Sequence, residues 1–135
     1  MTSQLNVDTI VDKAGSGGSN VKMANTSTCV SDGGNVTQNV VQGLAKFWCN
    51  TSADGTTIND SLNTTSLSDL GTGQQRPAFG NNMSTANYAP ELTPVNNINQ
   101  IWCQNVESGQ FTSKSYTGSA FQDSQHFTTV HGDLA

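Results

Sequence analysis

A chain of 135 residues and 14.2 kDa is long enough for one domain and at most a tail. Ser, Thr, Asn and Gln supply 57 of those residues against 15 charged ones, and the net charge is −5. Uncharged hydroxyls and amides saturate backbone groups but do little acid/base work, and five scattered cations (Lys13, Lys22, Lys46, Arg76 and Lys114) argue against a surface that neutralises nucleic-acid phosphates.

Only 33% of the chain is apolar, below the share in ordinary globular chains. A single copy therefore has little interior with which to offset chain entropy. Two readings follow: partial disorder, or a β-domain that completes its core by oligomerising. Two Trp, five Phe and two Tyr in alternating stretches favour the second.

In chain order, residues 4–12 put Leu5, Val7, Thr9 and Val11 on one face and Asn6, Asp8 and Asp12 on the other, with Ile10 breaking the pattern. That is a short strand with one wet side. An isolated strand is not stable alone, so it is expected to pair with the body of its own oligomer or with another protein, by strand addition at a sheet edge. The plain alternative is a disordered leader. Residues 13–20 are rich in Gly and Ser and form a flexible joint. Residues 1–20 are thus a docking strand and linker.

Residues 21–48 read as a short strand over 21–30, a turn at Ser31-Asp32-Gly33-Gly34, and the chain's helical pattern. Val36, Val40, Leu44 and Phe47 are spaced 4, 4 and 3, with Trp48 and Val41 beside them. Asn35 or Thr37 can cap the start. Gly43 weakens the helix by about 1 kcal/mol relative to Ala, and so short a helix is marginal by itself. Val36, Val40, Leu44 and Phe47 are therefore the expected homotrimer contact; the alternative is that the helix covers an open end of its own sheet.

Residues 49–135 turn to strands. Hairpin-type turns are expected at Ala53-Asp54-Gly55, Gly71-Thr72-Gly73 and Ser108-Gly109. Strands are expected over 46–52, 56–64, 65–70, 74–80, 86–92, 101–106, 110–116 and 126–131. Pro77 cannot donate to a ladder and marks an edge or a bulge. The fold class is all-β: an antiparallel β-sandwich or jelly-roll-like domain of about 7–8 short strands, one short helix and an extended N-terminal docking segment. The polar loops at 71–82 and 94–99 are the expected distal surface, presenting Gln74, Gln75, Asn81, Asn82, Asn96 and Asn97.

Reactive constellations are sparse. His126 and His131 lie five apart on a strand, hence on opposite faces, and cannot chelate one ion within a subunit. Glu91 and Glu107 are the only glutamates and nominate no glycosidase pair. No nucleophile elbow or phosphate loop is present, so no catalytic residue, metal or cofactor is expected. Cys29, Cys49 and Cys103 show no zinc-like spacing. A Cys49–Cys103 disulfide needs neighbouring strands; free, partly buried thiols in a protein assembled in a reducing cytoplasm fit better. The N-terminus shows no secretory signal, and no run approaches the roughly 18 apolar residues of a membrane span, so no membrane insertion is expected. Most aromatics are expected in the core, although some are candidates for a sugar-stacking platform.

Residues 6–15 (NVDTIVDKAG) resemble the N-terminal segment of tail-fibre-like and appendage proteins of marine tailed bacteriophages of the cyanophage and pelagiphage type. Residues 25–48 (NTSTCVSDGGNVTQNVVQGLAKFW) resemble the segment that opens their C-terminal domain. Residues 55–70, Gly71-Thr72-Gly73, Asn82-Met83, Ala86-Asn87-Tyr88 and the Gly132-Asp133-Leu134-Ala135 ending follow in the same order. The chain departs from the family where Gln74-Gln75-Arg76-Pro77-Ala78-Phe79 replaces an alternating aromatic and β-branched strand, and at Cys29 and Cys49. The resemblance implies a homotrimeric, β-rich virion protein without enzymatic activity, and it carries over no catalytic residue. The expected function is a short tail fibre or fibre tip that docks on another virion protein and meets host surface glycan. A capsid decoration protein or short head fibre is the alternative; a soluble lectin-like module and a small glycan depolymerase are competing classes.

Overall fold

The computed structural model describes residues 27–30, 37–95 and 97–134. The docking strand expected at residues 4–12 and the turn at 31–34 lie outside them. The chain divides into two compact units, residues 1–41 and 42–135.

In the first unit, β1 (Thr28–Val30) pairs antiparallel with β2 (Thr37–Asn39), Cys29 opposite Gln38. Val40 N–H donates to the Ser27 carbonyl at 2.9 Å and closes the hairpin. The helix expected over 36–48 is reduced to a single turn, α1 (Val40–Gly43). Of its apolar residues, Val40 opens that turn, Leu44 follows it and Phe47 belongs to a strand, while Val36 lies outside the described residues. Thr37–Asn39 is extended, Gly43 ends the turn, and Phe47 begins a strand in which alternate side chains are buried.

The second unit is the β-sandwich of the two architectures expected. One sheet has the order β4 (Ile58–Leu62), β3 (Phe47–Thr51), β10 (His126–His131), β7 (Ala89–Pro94). The other has the order β5 (Thr64–Asp69), β6 (Gln74–Phe79), β9 (Gln110–Tyr116), β8 (Gln100–Glu107). Each neighbouring pair is antiparallel. Period-two alternation points Phe47, Cys49 and Val130 from the first sheet at Phe79 and Phe111 from the second, with Met83 closing the cluster. The Phe47 ring lies 4.8 Å from Phe79 and 6.0 Å from Phe111, centroid to centroid.

Pro77 is buried in β6, which lies between β5 and β9, so it marks neither an edge nor a bulge of that sheet. The β6–β9 register holds at Gln75↔Ser113 and Ala78↔Gln110 and lapses between them. The missing N–H thus costs one gap in a ladder. Arg76 crosses beside that gap, its Nε donating to Thr112 Oγ1 at 3.2 Å.

The two ends of the sandwich are built differently. At the proximal end, where the chain enters β3, Asn63 takes a left-handed conformation (φ 61°) as the chain crosses from one sheet to the other. Its Nδ2 donates to the carbonyls of Lys46 (3.1 Å) and Asn81 (3.0 Å), and its Oδ1 accepts from Asn81 N–H. Met83 N–H to Ser108 O and Ser84 N–H to Asp133 O tie further segments there. At the distal end, Gln75 Nε2 donates to Ser52, Ala53 and Ser124 carbonyls, and Ser115 N–H donates to Gly73 O. Gly73 has φ 69°, and a Cβ there would lie 2.7 Å from the Ser115 carbonyl oxygen, so only glycine fits.

Candidate binding surface

The outer face of the β5-β6-β9-β8 sheet carries an aromatic cluster near the distal end. Gln74, Lys114 and Trp102 lie in one row across β6, β9 and β8, and Tyr116 opposite Gln100 lies in a neighbouring row. Phe121 folds back from the β9–β10 connection to bridge Tyr116. Its ring centroid is 5.6 Å from Tyr116 in edge contact and 6.2 Å from Trp102. Lys114 Nζ stands 5.6 Å from the Phe121 centroid. Trp102 and Phe121 are 36% and 42% exposed, high for side chains of that size. Such a rib, flanked by Gln74, Gln100 and Gln104, can pack the C–H face of a ring while the amides bond its hydroxyls.

The outer face of the other sheet is apolar and acidic. Trp48 sits between Leu62 and Thr129, and Phe127 between Asn50 and Thr93, with Asp60 and Glu91 in the same rows. Leu62 and Phe127 are each 48% exposed.

A proximal groove of about 420 Å³ is lined by Asn87, Tyr88, Ala89, His131, Gly132 and Asp133. The Tyr88 hydroxyl is committed inward, 2.8 Å from both the Glu107 and Gln110 carbonyl oxygens, and burial pushes its pKa well above the ordinary phenol value. His126 is buried while His131 lines the groove, on opposite faces of β10. His126 Nδ1 is 3.1 Å from the Ser124 carbonyl, so Nδ1 carries the proton; burial lowers the pKa of the ring. Among the described residues no three His, Cys, Asp or Glu side chains gather as metal ligands would. Cys49 and Cys103 belong to different sheets and, like Cys29, are free thiols; burial raises both, Cys103 to about 11.

The sequence-derived candidates scatter. Leu5, Val7, Thr9, Val11, Val36 and Asn96 fall outside the described residues. Val40 is half-buried and Leu44 is exposed. Phe47 is wholly buried in its own sandwich, because β3 turns it inward, and has no surface to offer a trimer contact. Gln75 is not distal surface either: it is 4% exposed and spends its amide on three carbonyls. Gln74 is half-buried in β6 beside Lys114. Asn81 and Asn82 are exposed at the proximal end and Asn97 at the distal end, with the six residues of β6 between them. These amides therefore form no single surface. The aromatic cluster had one sequence signal: Trp102 alternates with Ile101 and Cys103, so one parity of β8 must face out. Phe121 had none, since it lies in a connection. Comparison of the chain with protein-family models, with curated proteins and with solved structures finds no match.

Proposed function

We propose that this chain is a non-enzymatic structural protein of a phage particle: a homotrimeric short tail fibre or fibre tip that docks through residues 1–20 and meets saccharide on the host surface. The observation that carries this reading is the position of the Trp102–Tyr116–Phe121 cluster, on a face rich in amides, toward the end opposite the chain's entrance to the sandwich. A domain tethered at one end and aromatic at the other is suited to hold a ligand away from its anchor. The order of segments resembling phage appendage proteins supports the particle context. Exposed Leu62 and Phe127 beside Trp48, on the other sheet, supply apolar surface for association of copies. Weak single contacts gain avidity when three subunits act together.

Native mass spectrometry of the full chain is expected to give a trimer that retains on isolated host polysaccharide. Trp102→Ala should lose retention while melting at an unchanged temperature. Deleting residues 1–20 should abolish attachment to the particle and leave the trimer. A monomer that ignores polysaccharide, or one that releases reducing ends from it, refutes the reading.

A further inference from the structure

Among the described residues, the distal half of the interior contains three buried polar atoms without a protein partner: Thr51 Oγ1, Gln75 Oε1 and His126 Nε2. Their residues are 1%, 4% and 2% exposed. Thr51 and His126 are directly paired across β3 and β10, and both point inward. Gln75 reaches over them from the opposite sheet. Its Nε2 lies 2.9 Å from the carbonyl of Ser52, next to Thr51, and 3.3 Å from the Ser124 carbonyl, which also accepts from His126 Nδ1. Those contacts settle the polarity of Gln75 Oε1 and His126 Nε2. Gln75 Oε1 is an acceptor because the amide nitrogen faces three carbonyls. His126 Nε2 is an acceptor because Nδ1 holds the proton. Thr51 Oγ1 has a hydrogen to give.

We infer that Thr51 Oγ1, Gln75 Oε1 and His126 Nε2 together bind one water molecule, which joins the two sheets at the distal end. Water supplies the two donors and the acceptor that this trio needs, and three partners are the usual number for a buried water. None of the three atoms belongs to a carboxylate, and a cation would need charge compensation that these neutral groups do not supply.

The isosteric variant Thr51→Val discriminates by sign. Removing a hydroxyl that bonds water should lower the folding equilibrium constant by about fivefold to tenfold in urea titrations. Removing a hydroxyl with no partner should leave the constant unchanged or raise it, and that result overturns the inference. A crystal structure of the full chain that resolves ordered solvent is the second arm. It is expected to show one peak within hydrogen-bonding distance of all three atoms. An unfilled position, or direct pairing of Gln75 Oε1 or His126 Nε2 with a protein donor, also overturns it.

Discussion

The interior of the sandwich changes character along its strands. Near the proximal end it is Phe47, Phe79, Met83, Phe111 and Val130; toward the distal end it is Thr51, Gln75, Ser113, Ser115, Ser124 and His126. The same four inward-facing strands, β3, β6, β9 and β10, contribute to both halves. The apolar half is held by area removed from water and by edge and tilted ring contacts, which have no strict partner requirement. The polar half is held by directional bonds: Gln75 to three carbonyls, Ser113 Oγ to Gln75 O, Ser115 Oγ to Gln122 O. The apolar half is expected to supply most of the stability, and the polar half to set how the distal turns and the β9–β10 connection sit beneath the aromatic cluster.

Substitutions should separate the two halves. The largest effect is expected for Phe111→Ala, which empties a wholly buried site touching both Phe47 and Phe79. It should lower stability by about 3–5 kcal/mol in urea unfolding. A loss below 1 kcal/mol would mean that this half is not the main source of stability.

Gln75→Ala should cost less, about 1–3 kcal/mol, because the carbonyls of Ser52, Ala53 and Ser124 lose a shared donor. Its signature is local: amide exchange should rise in residues 52–57 and 122–126 before the proximal end responds. Uniform acceleration across both ends would erase the distinction between them.

Smaller again is Tyr88→Phe, which removes one hydroxyl from between the Glu107 and Gln110 carbonyls and should cost about 1 kcal/mol. Its amide-exchange effect should stay at the β8–β9 turn.

Acid should act on the distal half first. Burial holds His126 neutral in the folded chain below the pH at which a free imidazole, with its pKa of 6.5, takes a proton. The unfolded chain therefore binds the extra proton first. Stability is full above that pKa and declines as pH falls from it toward the lowered folded value. Melting temperatures should drop between neutral and mildly acid pH, and His126→Gln should flatten that slope. Asp54, held low chiefly by the Ser52 hydroxyl, acts only in a lower window. A slope unchanged by His126→Gln would remove the imidazole from the account.

The smallest signal is chemical. With burial raising both Cys49 and Cys103, a thiol reagent at mildly alkaline pH should label exposed Cys29 first and the other two only as the sandwich opens.

Legibility in the sequence followed the same division. Strands β9 and β10 fall where alternation in residues 110–116 and 126–131 places them, because a period of two is a local property of a half-buried strand. Turns at Asp54-Gly55 and Gly71-Thr72-Gly73 were legible because positive φ favours glycine. Val36, Val40, Leu44 and Phe47 misled, since four apolar residues match a helical spacing as readily by coincidence as by design, and tertiary pairing took Phe47 into β3. Gln75 misled for another reason: a glutamine serving three buried carbonyls looks, in sequence, like a glutamine in water. Of the candidate surface, Trp102 was partly legible from strand parity, whereas Phe121 depended on a connection folding back across β9.

From the sequence alone came an all-β chain, its strand spacing, its glycine turns and the poverty of its apolar interior, all of which depend on near neighbours or on composition. The tertiary structure decided which strands share a sheet, that the chain changes sheets at Asn63, that the interior is apolar at one end and polar at the other, and that three aromatics meet on an outer face. Those features depend on pairings between residues far apart in the chain, such as Phe47 with Val130 and Gln75 with Ser124, and no local pattern encodes a partner of that kind.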